Sequence, residues 1–330
     1  MTVLFCKKKA NCRLVNSIPK EVTILDEDNL TFLPKSIKNP VEVENERIAH
    51  IKDGVALTKF ICWLKKNVGK IPITELSAGE KLYSFRAQQE NFIDNSFDPI
   101  ISYGIHAAIN HYSATPETDI AIEPGNFLLA DTGGHYYEGT TDTTRTIVMG
   151  SVNDEQKKYF TAVLRGMLNL GNAKFRYGCT GVNLDYLARG PLWEMGQDFN
   201  HGTGHGVGYL LNVHEGPNSF RWRIIQGDNA VLEEGMITSD EPGYYVENQY
   251  GIRHENLLVC KKAEKTTFGQ FMCFEHLTMV PFDLDAVVPE LMTVQERALL
   301  NNYHAQVYKK ISPYLEEEEK EWLKEATREI

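Results

Sequence analysis

Asp131-Thr-Gly-Gly-His-Tyr-Tyr-Glu-Gly-Thr-Thr-Asp142 joins two strand-like runs, Asn126-Phe-Leu-Leu-Ala-Asp131 and Thr143-Thr-Arg-Thr-Ile-Val-Met149, through a glycine-rich connection. Both runs carry the β-branched and aromatic residues expected of a sheet. Asp131 and Asp142 are equidistant from the bond between Tyr136 and Tyr137. Pairing as a hairpin about that point would set the two carboxylates opposite one another, with Cβ atoms about 5 Å apart. A lone Asp-x-Gly reads more simply as a polar turn. The second Asp stands in a threonine-rich strand, where Asp is disfavoured, and this turns the reading towards two acids that share a cation.

The arrangement recurs downstream in Ser239-Asp-Glu-Pro-Gly-Tyr-Tyr245 and Gly251-Ile-Arg-His-Glu-Asn256. Glu241 and Glu255 lie symmetrically about Asn248, inside the turn-like Glu247-Asn-Gln-Tyr-Gly251, so a second hairpin would bring them together. Taken alone, Glu-Pro-Gly is only a turn signal. Period-two alternation puts Arg253 on the strand face of Glu255, where it could orient that carboxylate or touch substrate.

Between the hairpins runs His201-Gly-Thr-Gly-His-Gly-Val-Gly208. Its glycines argue against a helix, and the Gly at position 202 separates it from the zinc-binding His-Glu-x-x-His pattern. The glycines instead let backbone pass close to a metal or a substrate. His214 follows in Asn212-Val-His-Glu-Gly-Pro217, and His111 stands alone in Asn110-His-Tyr, a setting that by itself favours a structural histidine.

Asp131, Asp142, His205, Glu241 and Glu255 thus form a candidate ligand set of four carboxylates and one imidazole. Gathered in one cavity, four acids repel and raise each other's pKa unless divalent cations neutralise them. Without a thiolate the set suits manganese, with cobalt or zinc as alternatives, whereas structural zinc would use Cys and His. Two ions about 3.5–4 Å apart could share Asp142 and Glu255 as bridges and hold a hydroxide as nucleophile. A metallohydrolase is the expectation.

The rest of the chain sets bounds on that reading. Its 330 residues are 42% hydrophobic, enough for a large core. A net charge of −11 without a basic stripe argues against nucleic acid and anionic membranes, which leaves peptides or small molecules as substrates. Six scattered cysteines show no C-x-x-C pair, as in a reducing compartment. The N-terminal apolar run is too short for a signal peptide and no stretch is long enough to cross a bilayer, so a cytoplasmic protein is expected.

Residues 1–35 read as the remnant of a preceding domain or a linker, with strand-like runs at Val22–Leu25 and Thr31–Leu33. From Asn39-Pro40 a helix is expected to Val68-Gly69, then another from Thr74 to about Gln89, and strands beginning at Phe97-Asp-Pro. Helices over Asn153–Lys174 and Asn183–Met195, and strands around Met236 and Leu257–Val259, repeat the order helix, helix, strands. Two similar halves meeting at a sheet, with the site in the cleft between them, is the implied plan. The end is helical from Leu291, and Glu316–Glu319 reads as a solvated helix start.

Taken together, Asp-x-Gly-x-x-Tyr-x-x-Gly-Thr-Thr-Asp-x-Thr-Arg-Thr, His-Gly-Thr-Gly-His-Gly-Val-Gly, Asp-Glu-Pro-Gly-Tyr-Tyr and Gly-Ile-Arg-x-Glu-Asn resemble the catalytic domain of the cytosolic Xaa-Pro aminopeptidases. So do the tail motifs Phe274-Glu-His-Leu-Thr-Met-Val-Pro-Phe and Leu300-Asn-Asn-Tyr-His304, which look like the three-domain branch of that family. The resemblance implies an α+β pita-bread fold over residues 36–330, with two pseudo-symmetric halves around a curved, mostly antiparallel sheet. It implies that Asp131 chelates one manganese, that Asp142 and Glu255 bridge, and that His205 and Glu241 complete the second ion. It further implies that Glu241 relays a proton and that His111, His201 and His214 line the substrate site as catalytic and binding residues. Tyr245 and Arg253 would lie beside a proline pocket. The implied substrates are peptides with proline second, and a homodimer is expected of the family. Prolidase activity on Xaa-Pro dipeptides is the nearest alternative, methionine aminopeptidase is a further one that the Asp-Thr-Thr-Arg and Tyr-Tyr contexts fit poorly, and a binding scaffold of the same fold is the non-enzymatic one.

Overall fold

The computed structural model describes every residue except 8, 211, 226 and 228. The N-terminal segment is thin: β1 (Thr2–Leu4) pairs in parallel with β2 (Thr23–Leu25), and α1 (Cys12–Ser17) and α2 (Phe32–Ser36) accompany them. Its leucines 14, 25, 30 and 33 stay exposed. Thr31–Leu33 was expected to be extended but leads into α2. Three residues are too few for an alternation to mean anything, and Pro34, which lacks a ladder donor, fits a first helical turn.

Asn39 opens the first long helix, α3 (Pro40–Asn67), through a capping box in which its side chain accepts from the Val41 and Glu42 N–H groups and Glu42 answers to the Asn39 N–H. The helix stops where Gly69 takes φ +73°. Thr74 caps α4 (Glu75–Arg86), which ends three residues before the expected Gln89. There the fully buried Arg86 turns inward onto Asp53 and Thr132.

β3 (Phe92–Asn95), β4 (Ile100–Tyr103), β5 (Asn126–Thr132), β6 (Gly134–Tyr136), β7 (Gly139–Thr140) and β8 (Thr143–Met149) complete the first half as two antiparallel sheets, β4-β5-β8 and β3-β6-β7. The strand expected from Phe97 begins only at Ile100, after Pro99, which has no N–H to donate.

Asn153 caps α5 (Asp154–Gly171), which opens the second half with another capping box. It ends before the expected Lys174, which instead starts β9 (Lys174–Arg176). α6 (Tyr186–Trp193) is shorter than expected, preceded by a 3-10 turn at Gly181–Asn183. β10 (Gly204–His205), β11 (Ser219–Phe220), β12 (Ile237–Asp240), β13 (Gly243–Val246), β14 (Tyr250–Arg253), β15 (Asn256–Thr266) and β16 (Gly269–His276) follow. The main sheet of this half is β12-β15-β16-β9, antiparallel throughout. The order helix, helix, strands thus recurs, with the short β9 set between the two helices of the second half.

α7 (Val294–Ile311) and α8 (Glu317–Ala326) close the chain over α3 and α5. The acidic start of α8 is more than a solvated face, because Glu318 and Glu319 pair with Lys66 and Lys59 of α3 at 2.7 and 3.3 Å. One core gathers α5, α7 and the β13-β14 hairpin around Phe160, Met167 and Ile252. A second packs Leu57, Phe60 and Leu64 of α3 on Leu128 and Ile147 of β5 and β8. Each such side chain contributes about 1.5–3 kcal/mol when fully buried, so both halves are rigid supports for the strands that end between them.

Candidate active site

β5 and β8 pair with Asp131 opposite Thr144 and Thr132 opposite Thr143. The inner hairpin pairs His135 with Thr140 and Tyr136 with Gly139. The turn is therefore centred between Tyr137 and Glu138, one residue beyond the expected point, and Asp131 does not face Asp142 directly. Asp142 stands two residues from Thr144, and alternation returns it to the face of Asp131 as a diagonal neighbour. Gly133 makes the crossing possible, since a Cβ there would lie 1.9 Å from the Thr141 carbonyl oxygen.

The second hairpin follows its expected axis. Gly243 pairs with Arg253 and Val246 with Tyr250, while Asn248 takes the left-handed φ of +57° at the turn. Asp240 opposite Asn256 continues the same register in β12 and β15, so Glu241 and Glu255 face one another. β10 pairs with β11 and brings His205 beside β12, where its N–H donates to Ser239 Oγ at 2.9 Å and that hydroxyl donates to Glu241 at 3.1 Å.

All five expected ligands line one cavity of about 550 Å³, together with His111, His201, His214 and Arg253. One donor atom from each of Asp142, His205 and Glu255 lies within 4.8 Å of the others, the only such trio among the described residues. His205 Nε2 is 3.4 Å from Asp142 and 3.5 Å from Glu241. Asp131 Oδ1 is buried with no hydrogen-bond partner.

Burial raises the Glu255 carboxyl well above the usual range, and Asp142 and Glu241 push it the same way. Burial also raises Asp142, and it raises Glu241 to about 7 against the pull of His205 and Arg253. His205 moves oppositely. Burial would lower it, but Asp142 and Glu241 together lift the imidazole to about 9. Without a cation the acids are thus driven towards their protonated forms, and a donor set of hard oxygens and one nitrogen fits divalent cations there.

Arg253 does not orient Glu255, as its strand face had suggested. Its Nη2 donates to Asp131 at 2.5 Å and its Nη1 to the Tyr245 hydroxyl at 2.8 Å. Tyr245 in turn meets His201 Nε2 at 2.9 Å, and His201 Nδ1 lies 2.7 Å from the Gly202 carbonyl. Burial and Arg253 push His201 down to about 3, so it is a neutral ring, with the network assigning its proton to Nδ1. Burial and His205 likewise lower His214 to about 4. Tyr245 therefore bridges the Arg253 guanidinium and an imidazole of the cleft.

The orienting group on Glu255 is Thr144, whose hydroxyl donates at 2.8 Å. Neither Thr144 nor Ser239 stood out in the sequence, where both read as ordinary strand residues. Period two would have placed Thr144 on the Asp142 face, and that was the available signal.

A cleft between two hairpin-bearing halves, walled by convergent carboxylates and imidazoles, is a setting suited to metal-dependent hydrolysis. The chain belongs to metallopeptidase family M24, whose model matches residues 44–262, and the C-terminal region of that family matches residues 270–330. A probable Xaa-Pro aminopeptidase P of Paracoccidioides brasiliensis is 43% identical over 303 residues, covering 90% of this chain and 49% of the relative. The X-prolyl aminopeptidase of Caenorhabditis elegans, described as a cytosolic enzyme with a di-nuclear active site, superposes with a TM-score of 0.88 at 36% identity, over 95% of this chain and 51% of its own. Prolidase from Pyrococcus furiosus superposes with a TM-score of 0.66 at 27% identity, over 84% and 75%. The chain thus spans about half the length of the two aminopeptidase relatives. It has the pita-bread architecture of these neighbours, in the α+β class.

Proposed function

We propose that this chain carries the catalytic unit of a metal-dependent aminopeptidase that hydrolyses the first peptide bond of substrates with proline second. The observation that carries the reading is the convergence of Asp142, His205 and Glu255 to within 4.8 Å, in a cavity that also holds Asp131 and Glu241. Asp131, Asp142, His205, Glu241 and Glu255 would hold two divalent ions, manganese by the hardness of the donors, with cobalt or zinc able to substitute. Bound there, the ions supply Lewis acidity and an activated water.

The chain's own residues supply the rest. Glu241, held by the Ser239 hydroxyl at the edge of the donor set, is placed to take a proton from the attacking water and pass it to the leaving nitrogen. His111, His201 and His214 line the cavity as neighbours of the scissile carbonyl; His111 and His214 are the imidazole donors towards a developing oxyanion, and His201, with its proton held by the Gly202 carbonyl, orients Tyr245 beside the substrate. Tyr245 and Arg253 flank the site of the proline ring, which lacks an N–H and restricts its own backbone. The buried carboxylates attract the free α-amine, and this limits cleavage to the first bond.

Residues 36–330 form the catalytic unit in this reading, and 1–35 belong to what precedes it, although residue 36 is also the last of α2. No described helix is long and apolar enough to cross a membrane. A cytoplasmic homodimer is the working expectation, supported for location by the cytosolic description of the nematode neighbour; sedimentation of the purified chain tests the dimer. The decisive assay sets an Xaa-Pro-Yaa tripeptide against an Xaa-Pro dipeptide with manganese-loaded protein. Cleavage of the tripeptide supports the aminopeptidase, and cleavage of the dipeptide alone supports prolidase.

A further inference from the structure

Lys38 sits just before the cap of α3 and is 4% exposed, an ammonium group almost wholly out of water. Its Nζ donates to the Val207 carbonyl and, at 3.4 Å, to that of Ser36, while its backbone N–H donates to the Gly235 carbonyl at 3.0 Å. A buried cation is costly unless carboxylates answer it. Burial pulls its pKa down, and the buried carboxylate of Glu215 is the group that most raises it, ahead of that of Glu46.

Each of these partners adjoins a residue of the candidate site. Val207 is two residues after His205. Glu215 follows His214, accepts from Lys35 at 2.6 Å, and donates its N–H to the Gly206 carbonyl at 2.7 Å. Glu46 accepts the Thr140 N–H at 3.2 Å, two residues before Asp142. The two histidine-bearing segments lie directly on one another: a Cβ at Gly206 would stand 2.1 Å from the Glu215 carbonyl oxygen, and the His205 and His214 rings are 3.9 Å apart.

We propose that Lys38 is a positioning residue for the metal centre, one buried cation that fastens the His205 segment by donating to the Val207 carbonyl and that acts on Glu215 of the adjoining His214 segment through charge alone, the ion pair of Glu215 being with Lys35. It touches neither ion nor substrate. The inference rests on the metal-site reading given above. A lysine that merely filled space would behave differently, because replacing a buried charge with a well-packed apolar residue is often neutral or stabilising. A tie that orients ligands instead changes metal affinity in a molecule that is still folded.

The test is a double-mutant cycle on manganese affinity, measured by calorimetry at a temperature where circular dichroism shows each variant folded. Lys38→Met is expected to weaken binding by roughly tenfold or more and Glu215→Gln by at least about threefold. The double variant should bind about as tightly as Lys38→Met alone, because the two groups act on each other, whereas independent losses would multiply to roughly thirtyfold or more. A folded Lys38→Met with parental affinity overturns the proposal, as do losses that multiply in the double variant. Should Lys38→Met fail to fold, Glu215→Gln carries the test alone, and unchanged affinity there overturns it. A parent that binds no manganese removes the metal site itself, whereas a parent that binds two ions beside an indifferent cycle removes only the role of Lys38.

Discussion

Glu255 owes its orientation to Thr144, a hydroxyl one turn of the strand pattern away from Asp142. Groups of this kind hold a metal ligand in place without touching the metal. Thr144→Val is therefore expected to lower manganese affinity by roughly 10–100-fold while leaving the fold intact, as calorimetry beside circular dichroism would show. Asp142→Asn alters a proposed ligand, so it should cost roughly a hundredfold or more in tripeptide cleavage and reduce bound metal below two ions per chain; parental turnover in that variant would contradict its place in the site. The candidate ligand acids stand out in the sequence through turn chemistry and spacing, and the structure gathers them in one cavity, the first pair as diagonal rather than direct neighbours. Thr144 and Ser239 do not, since what makes them matter is a contact made only in the fold: Thr144 meets Glu255 from the other half, and Ser239 links the His205 backbone N–H to Glu241.

At the scale of elements, α3 carries a buried acid among its apolar residues. Burial pushes the Glu46 carboxyl up to about 8, against the Thr140 N–H and the Lys38 charge. Its pKa in the folded chain exceeds its ordinary 4.5, so the folded form holds the proton more tightly. The stability this group contributes is complete below pH 4.5 and is lost as pH rises through about 8. Glu46→Gln keeps an acceptor for Thr140 but does not titrate, so its thermal midpoint should decline less than the parent's between about pH 5 and 9. Matching declines would show that Glu46 does not carry the effect. The β13-β14 hairpin makes a second test: a Cβ at Gly251 would lie 1.8 Å from the Ala107 carbonyl oxygen. Gly251→Ala is expected to destabilise by about 1–3 kcal/mol in urea unfolding. That hairpin could be placed from sequence to the residue, because Asn248 marks a left-handed turn. The first hairpin was misplaced by one residue, since Tyr137-Glu138 carries no such mark.

The whole molecule brings two halves together over a pocket of acids in a chain of net charge −11. Cations that bind the folded pocket and not the unfolded chain stabilise it by mass action, about 2.7 kcal/mol at a hundred times the dissociation constant. Manganese should thus raise the unfolding temperature of the parent, a chelator should reverse the rise, and Asp142→Asn should blunt it; a midpoint indifferent to metal would speak against the site. The duplicated order of elements was readable from helix caps and strand composition, and the short strands β9 to β11 were not, because two or three residues show no periodicity. The most direct test of the central claim is release of the first residue from an Xaa-Pro-Yaa tripeptide by metal-depleted protein titrated with manganese. Cleavage that appears with the metal and levels off near two ions per chain is the predicted result. Absence of cleavage at saturating manganese, or equal cleavage in excess chelator, would contradict it.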